Sequence, residues 1–385
     1  MILCRDLKTP DETHMAHALD LASRGKGATA PNPCVGAVLA RDGVAVAEGW
    51  HQRCGEPHAE VNCLADAAAK GVDASACTLY VTLEPCNHHG KTPPCTQAVL
   101  NAGIRRVVVG CADPNPKVEG GGAAYLRSQG VDVCVGVLER ECLDMIADFR
   151  VWQFTPRTYN ILKMAATLDG RIASRSGHSA WVSGPESRAA VHDLRARVDA
   201  VIVGGATLRQ DNPQLTVRLE GGYGGRQPLA VVITSLLPEP SAPLALLKQR
   251  PDQMIFWTDA LNAASVRAEA LRDMGVRVWE LPASGERLDL AAGFAKLRRE
   301  AACHTTLCEG GGMLALSLVK QGVMDEFLYF LAPKVVGDAL AVPLFSGDAV
   351  ESMDQALRLR LSAVRPSGQD LLLTYMPLDQ LADRL

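Results

Sequence analysis

Two short stretches, "HAE" at 58 to 60 and "EPCNHHGKTPPC" at 84 to 95, set an imidazole, a carboxylate and two thiols in a pattern that few folds can bring together. Zinc bound by one imidazole and two thiolates leaves a fourth position for water, whose pKa falls towards neutrality so that hydroxide becomes available. Such a site also needs an acid or base that is not itself a ligand. His58 at a helix start can point at the metal while Glu60, two residues on, reaches the water and shuttles its proton. The thiolates must then arrive from a strand end and a second helix start, where the positive helix N-terminus favours thiolate over thiol.

Local pattern supplies those elements. Residues 58–70 are alanine-rich and end at Gly71, which predicts a helix, and "TLYVTL" (78 to 83) predicts a strand running into Glu84, Pro85 and Cys86. Pro93 and Pro94 suit the first turn of another helix reaching Gly103. Zinc deaminases are marked by H-x-E followed by P-C-x-x-C. The first part is present, but His89 stands three residues after Cys86 and the next cysteine is Cys95. Two ligand sets compete, one of His58, Cys86 and Cys95 and one of His58, Cys86 and His89. The first is preferred, because soft thiolates hold zinc well and "GKTPP" gives the chain room to loop back. The bland alternative is buried thiols beside a surface histidine. A purely structural zinc would normally take four protein ligands and leave Glu60 without a role.

The surrounding pattern is layered α/β. Thr9, Pro10 and Asp11 open a helix with Met15, Ala18, Leu19 and Ala22 at helical spacing, and "VGAVLARDGVAVAEGW" (35 to 50) reads as a β-hairpin. "RRVVVGC" (105 to 111) and "VDVCVGV" (131 to 137) add strands. A new series begins at "NILKMAATLDGRIA" (160 to 173), so a boundary is expected between 148 and 158, with one domain over 1–150 and another over 151–385. The second half offers strands at 199–205, 229–234, 253–258, 276–281, 305–312 and 326–333, with helical patterns at 262–274 and 289–301. That order predicts a second α/β domain.

Charge and cysteine content narrow the function. Residues 1–150 hold 14 Lys+Arg against 18 Asp+Glu and the remainder holds 25 of each, so neither half suits a nucleic-acid partner. The N-terminus is interrupted by Arg5, Asp6 and Lys8, which is not a secretory signal, and no segment has the ~20 apolar residues of a membrane helix. Ten of the twelve cysteines fall in the first 142 residues of a large chain, which points to reduced thiols and a cytoplasmic protein without a membrane association.

A second site is foreshadowed at "CEGGGMLALSLV" (308 to 319), a strand end, three glycines and a helix start suited to a phosphate. It lacks the G-x-G-x-x-G spacing of a Rossmann fold, and a tight turn is its bland alternative. "VGGATLRQDNPQLTVR" (203 to 218) is a second glycine-containing strand end, and Arg195 and Arg218 can pair with phosphate or simply be solvated.

"PNPCVGAVLA" (31 to 40), "GWHQRCGEPHAEVNCL" (49 to 64), "YVTLEPCNHHGKTPPC" (80 to 95) and "DPNPKVEGGG" (113 to 122) resemble the deaminase domain of the bifunctional deaminase-reductase family of riboflavin biosynthesis. The nine-residue step between the cysteines is that family's own spacing. "LKMAATLDGRIA", "SAWVSG" (179 to 184), residues 194–218 and residues 308–337 resemble its reductase domain. The resemblance implies a cytidine-deaminase-like three-layer N-terminal domain followed by a dihydrofolate-reductase-like α/β C-terminal domain. It implies zinc on His58, Cys86 and Cys95, Glu60 as proton shuttle, and a phosphorylated pyrimidine substrate lined by Asn32, His88, Thr92, Asp113 and Asn115. For the reductase it implies NADPH at Ala165, Trp181, Thr207, Asp211, Ser235, Gly311, Gly312, Met313, Leu314, Ala315, Leu316 and Ser317. Substrate would meet Lys163, Ser179, Arg195, Leu215, Arg218 and Glu309, with Asp211 and Glu309 as candidate proton donors. The family makes a homo-oligomer the expectation. Two departures stand out: Asn87 replaces the usual serine, and "LLPEP" follows Ser235 where basic residues are usual.

Two other readings compete. A nucleic-acid base deaminase is disfavoured by the acidic first half, which has no basic helix and no aromatic-basic interleaving. A non-catalytic zinc protein would leave Glu60 and the second site unexplained.

Overall fold

The computed structural model describes residues 9–88, 93–115, 121–284 and 287–378, and the chain divides into two compact units, one ending at Phe154 and the other starting at Thr155. His89 and Thr92 lie outside the described residues. No helix among those described is long and apolar enough to cross a membrane.

The first unit runs α1 (Pro10–Ser23), β1 (Gly36–Arg41), β2 (Val44–Trp50), α2 (Ala59–Ala69), β3 (Thr78–Leu83), α3 (Cys95–Asn101), β4 (Arg106–Cys111), α4 (Gly122–Ser128), β5 (Asp132–Val135), α5 (Glu139–Met145) and α6 (Ala147–Phe154). Thr9 starts α1 with a reciprocal cap: its hydroxyl accepts from the Glu12 amide at 3.2 Å, while the Glu12 carboxylate accepts from the Thr9 amide at 2.8 Å. The sheet order is β2-β1-β3-β4-β5, with β1 antiparallel to both neighbours and β3, β4 and β5 parallel.

Two glycines show how the layers close. A Cβ on Gly36 would lie 2.0 Å from the Ala18 carbonyl oxygen of α1, and one on Gly49 would lie 2.3 Å from the Cys63 nitrogen of α2. Gly49 pairs with Ala37, the neighbour of Gly36, so the two glycines face opposite sides of the sheet. Helices α1 and α2 therefore cover opposite faces, each pressed against bare backbone, and the unit has three layers. Central strands β3 and β4 read almost wholly apolar because both faces are buried.

The second unit contains β6 (Tyr159–Thr167), β7 (Arg171–Ala173), α7 (Pro185–Arg195), β8 (Ala200–Gly204), α8 (Gly205–Asp211), β9 (Leu229–Ile233), α9 (Ala245–Gln249), β10 (Met254–Thr258), α10 (Ala260–Ala263), α11 (Val266–Asp273) and β11 (Arg277–Glu280). It continues with β12 (Ala283–Ser284), β13 (Arg287–Leu288), α12 (Leu290–Ala301), β14 (Thr305–Cys308), α13 (Gly312–Lys320), β15 (Glu326–Ala332), β16 (Val342–Pro343), β17 (Leu359–Ser367) and β18 (Asp370–Pro377). A large sheet has the order β11-β10-β9-β8-β14-β6-β15-β18-β17, parallel from β11 to β15 and antiparallel in the last hairpin. Its core includes Trp257 and Phe294, packed edge to face with ring centroids 5.2 Å apart.

Two differences from the sequence pattern have physical causes. The expected helix at 262–274 is broken into α10 and α11, because the Ser265 hydroxyl accepts from the Ala268 amide and donates to the Asn262 carbonyl, capping the second helix where it ends the first. The hairpin of β17 and β18 was not expected at all. Many of its side chains are exposed and β17 carries Pro366, as an edge strand can, so it lacks the buried apolar run that marked the other strands.

Candidate active sites

In the first unit three elements deliver the metal-ligating residues to one point. His58 is the extended residue preceding α2, Cys86 follows the end of β3 by three residues, and Cys95 is the first residue of α3. One donor atom from each lies within 4.8 Å of the others. His58 Nδ1 is 3.6 Å from Cys86 Sγ and 3.3 Å from Cys95 Sγ, and the Cys95 amide donates to Cys86 Sγ at 3.4 Å. With zinc–sulfur and zinc–nitrogen bonds of about 2.3 and 2.0 Å, neighbouring ligands of a tetrahedral ion sit roughly 3.5–3.8 Å apart. The spacing and the soft donor set both fit zinc.

Electrostatics agree with a thiolate-bearing pair. The Cys95 thiol beside Cys86 and the His58 ring hold the Cys86 thiol down to about 4, whereas donating to Cys86 and being buried push Cys95 up. Glu60 lies in the first turn of α2, only 3% exposed, and burial pushes its carboxyl up.

The flanking residues are positioned by a chain of hydrogen bonds. His51, 2% exposed, approaches the Pro57 carbonyl through Nδ1 at 3.1 Å, which makes that nitrogen the donor and leaves Nε2 to accept from Asn32 Nδ2 at 3.2 Å. Its ring stands edge-on to His58 at 5.4 Å. His51 was not singled out from the sequence, although it lies in the distinctive stretch "GWHQRCGEPHAEVNCL". Beyond Leu83 of β3, Glu84 accepts from the Asp113 amide at 3.1 Å and the Ala123 amide at 2.8 Å, and Asp113 accepts from the Asn115 amide at 2.9 Å. Burial pushes Asp113 up, against the pull of that amide and of His88. Asn87 accepts a hydrogen bond from Thr96 of α3 at 2.8 Å, so the residue that replaces the usual serine ties the Cys86 loop to the helix carrying Cys95.

The second site forms at strand ends that are neighbours in space but not in sequence. Strand β14 lies between β6 and β8, with Cys308 opposite both Leu162 and Ile202. Lys163 on β6 and Glu309 just past β14 are thereby brought side by side, while β8 leads into α8 with Thr207 and Asp211. Arg195, the last residue of α7, makes a two-pronged contact with Glu309 at 2.6 and 2.9 Å and donates to the Thr216 carbonyl at 2.9 Å. Both side chains are largely buried, at 11% and 13% exposure. Burial would raise the Glu309 carboxyl, but Arg195 and then Lys163 outweigh it and hold the carboxyl below its usual range. Burial lowers Lys163, partly countered by Glu309. His192 is lowered by burial and by the cations Arg195 and Arg218.

The other expected residues belong to the same unit. Leu215 is 2% exposed with φ +52°, Arg218 donates its amide to His192 Nδ1 at 3.2 Å, and Ala165 lies on β6 two residues beyond Lys163. Gly311 precedes α13 and Gly312 through Ser317 form its first two turns. A Cβ on Gly312 would lie 2.8 Å from the Pro343 carbonyl oxygen, so this glycine is required by close packing, while Gly311 faces open space. Ser179 and Trp181 lie on the segment before α7; Trp181 is 68% exposed, stacks under Arg188 at 4.6 Å, and its carbonyl accepts from Lys334 at 2.7 Å. Ser235 is exposed beyond β9, and burial pushes Asp211 of α8 up.

A three-layer domain with an imidazole–dithiol centre, followed by a parallel-sheet domain with a cluster of buried charges at its strand ends, defines a zinc deaminase fused to a reductase. Residues 8–111 match the family model of the cytidine and deoxycytidylate deaminase zinc-binding region, and residues 158–373 match that of the RibD C-terminal domain. The riboflavin biosynthesis protein RibD of Aquifex aeolicus is 39% identical over 95% of this chain and 98% of its own length, and that of Escherichia coli is 37% identical over 94% and 98%. The crystal structure of the Thermotoga maritima deaminase/reductase superposes with a TM-score of 0.75 at 34% identity, covering 96% of this chain and 99% of that one. The chain belongs to the RibD family of riboflavin biosynthesis proteins, with a cytidine-deaminase-like first domain and a dihydrofolate-reductase-like second domain.

Proposed function

We propose that the first domain deaminates diaminohydroxyphosphoribosylaminopyrimidine and that the second reduces the product, 5-amino-6-(5-phosphoribosylamino)uracil, with NADPH, the two activities named for the Thermotoga maritima relative. The observation that carries this reading is the convergence of His58, Cys86 and Cys95 on one point, with the buried Glu60 hydrogen-bonded to the Cys95 thiol.

His58, Cys86 and Cys95 would hold zinc, which supplies an open coordination position and acidifies the water there. The Glu60 carboxylate accepts a proton from the attacking water and passes it to the exocyclic amine, which leaves as ammonia. Burial favours that transfer, because a carboxyl with a raised pKa gives up and takes a proton with less bias. Asn32, held by neutral His51, and Asp113 and Asn115, anchored through Glu84, orient the pyrimidine with His88 and Thr92.

In the second domain NADPH supplies the hydride, and the chain supplies orientation and charge. Its binding falls to Ala165, Trp181, Thr207, Asp211, Ser235 and the segment from Gly311 to Ser317. The open face of Gly311 gives a phosphate room at the start of α13. Lys163, Ser179, Arg195, Leu215, Arg218 and Glu309 surround the phosphoribosyl substrate. Ring opening needs a hydride on the ribose carbon and a proton on the departing oxygen. Glu309 is held as a carboxylate on Arg195 and has no proton to give, so Lys163 beside it is a better source than Glu309, and Asp211, whose carboxyl burial pushes up, stays the other candidate.

The described cysteines are free thiols, which supports a cytoplasmic location. Exposed apolar side chains on the last hairpin, Leu361, Val364 and Leu371, support a homo-oligomer. A two-step assay on zinc-loaded protein tests the functional reading. Ammonia should appear first from the diamino substrate and NADPH oxidation should follow; ammonia alone would require a new assignment for the second domain, and neither would remove the reading.

A further inference from the structure

A buried arginine outside the residues assigned so far bears on the substrate loop of the second domain. Arg250, which follows α9, is 7% exposed and makes no carboxylate ion pair among the described residues. Its guanidinium is spent on oxygens. Nη1 donates to the Gln214 carbonyl at 3.2 Å and to the Leu215 carbonyl at 3.5 Å, Nη2 donates to the Pro228 carbonyl, and Nε and Nη2 donate to the Gln253 side chain at 3.2 and 2.9 Å. Burial pulls its pKa down, so the cation remains there against a solvation cost and must be held by those dipoles.

The segment it grips is bent against its own preference. Asn212 and Leu215 both have positive φ, at +42° and +52°, the second an unfavourable conformation for a residue with a branched side chain. Successive carbonyls are taken from different sides: those of Gln214 and Leu215 by Arg250, that of Thr216 by Arg195, and that of Val217 by Gln227 at 3.4 Å. Asn212 is fixed separately, accepting from the Ala245 amide at 2.7 Å. Among the described residues the amides of Leu215 and Thr216 have no acceptor, so the loop keeps two donors uncommitted next to Arg195 and Arg218.

We propose that Arg250 is a positioning residue for reductase specificity. By holding the Gln214 and Leu215 carbonyls it sets the left-handed backbone at Leu215 and keeps the 214–218 loop ready for the anionic phosphoribosyl substrate. The inference rests on the reductase reading above. Arg250 acts on the loop through its carbonyls and is not among the residues assigned to either reactant, so its effect belongs in substrate affinity rather than in the hydride step. Lysine cannot replace it, because one ammonium cannot reach the fork of oxygens that a planar guanidinium spans.

The test is steady-state kinetics on the full-length, zinc-loaded protein with Arg250→Lys, and with Gln253→Ala as a milder variant that frees Nε. NADPH oxidation is followed while the deaminated pyrimidine and NADPH are varied in turn, and ammonia release and thermal melting are measured beside it. For Arg250→Lys the KM for the pyrimidine is expected to rise ~10-fold or more, with kcat and the KM for NADPH within about 3-fold and ammonia release unchanged. Gln253→Ala should shift the same KM by a smaller factor. An unchanged pyrimidine KM in a folded variant overturns the proposal. A fall in kcat with both KM values moving together also overturns it, since that is the signature of a general packing role. If Arg250→Lys does not fold, Gln253→Ala decides by the same criterion. Wild-type protein that releases ammonia yet oxidises no NADPH refutes the reductase reading itself and removes the inference with it.

Discussion

Replacing Glu60 by glutamine separates proton transfer from metal binding. The side chain is 3% exposed in the first turn of α2, and glutamine matches it in size, so Glu60→Gln should leave His58, Cys86 and Cys95 where they are. It should not cost stability either. Burial disfavours the charged form of Glu60, and a neutral amide in the same space relieves that penalty. What is lost is the group that carries the proton, and general acid–base catalysis is typically worth 10²–10⁴ in rate, about 2.7–5.5 kcal/mol of barrier. The assay is ammonia release at saturating diamino substrate, with zinc content measured on the same sample and NADPH oxidation measured on supplied deaminated substrate. Expected are full zinc occupancy, a melting temperature within about 2 °C of the parent, unchanged reduction and a 10²–10⁴-fold loss of deamination. A loss below 10-fold with zinc retained would refute the role given to Glu60. Loss of zinc together with activity would show that the carboxylate serves the metal instead.

Three further outcomes are expected. Gly36→Ala would place a methyl 2.0 Å from the Ala18 carbonyl oxygen, and the resulting shift of α1 should cost roughly 1–3 kcal/mol or more, read as a lower melting temperature of the deaminase domain. Asp325→Ala strands the Arg157 guanidinium, now bound at 2.6 and 2.7 Å, and frees the Asn160 amide, so the reductase domain should lose about 3–5 kcal/mol in denaturant titration. Glu309 is held below its usual pKa in the folded state. Its contribution is therefore present above the unfolded carboxyl value near ~4.3 and is lost as pH falls through the folded value. Melting curves of wild type and Glu309→Gln should accordingly converge as pH is lowered from about 6 to 3; a gap that widens towards acid would reverse the assigned sign.

Much of this molecule is written locally. "TLYVTL", "RRVVVGC" and "DAVIVGG" became β3, β4 and β8 because strands buried on both faces need continuous apolar runs, which are visible without context. The His58 and Cys95 helix starts were equally legible, since alanine-rich sequence and paired prolines mark helix boundaries by their own backbone preferences, although Pro93 and Pro94 stand just before α3 and not in its first turn. The Ser265 cap inside an apparently continuous helix was less so, because serine competes for the backbone only when the chain around it turns. Hairpin β17–β18 is not legible for a different reason: with both faces part-exposed, its sequence carries no simple alternation.

By itself, then, the sequence determined the chemical inventory and the elements that bear it: an imidazole, two thiols and a carboxylate at element ends in the first half, and glycines and cations at strand ends in the second. These follow from residue type and spacing of a few positions, over which the backbone has little freedom. Tertiary structure alone decided who meets whom. The insertion of β14 between β6 and β8 puts Glu309 against Arg195 and Lys163, more than a hundred residues away, and buries the charges so that each fixes the other. The grip of Arg250 on Gln214 and Leu215, and the neutral His51 that holds Asn32, arise in the same way. Such contacts depend on burial, which turns ordinary polar residues into obligatory partners, and burial is a property of the packed chain rather than of any segment in it.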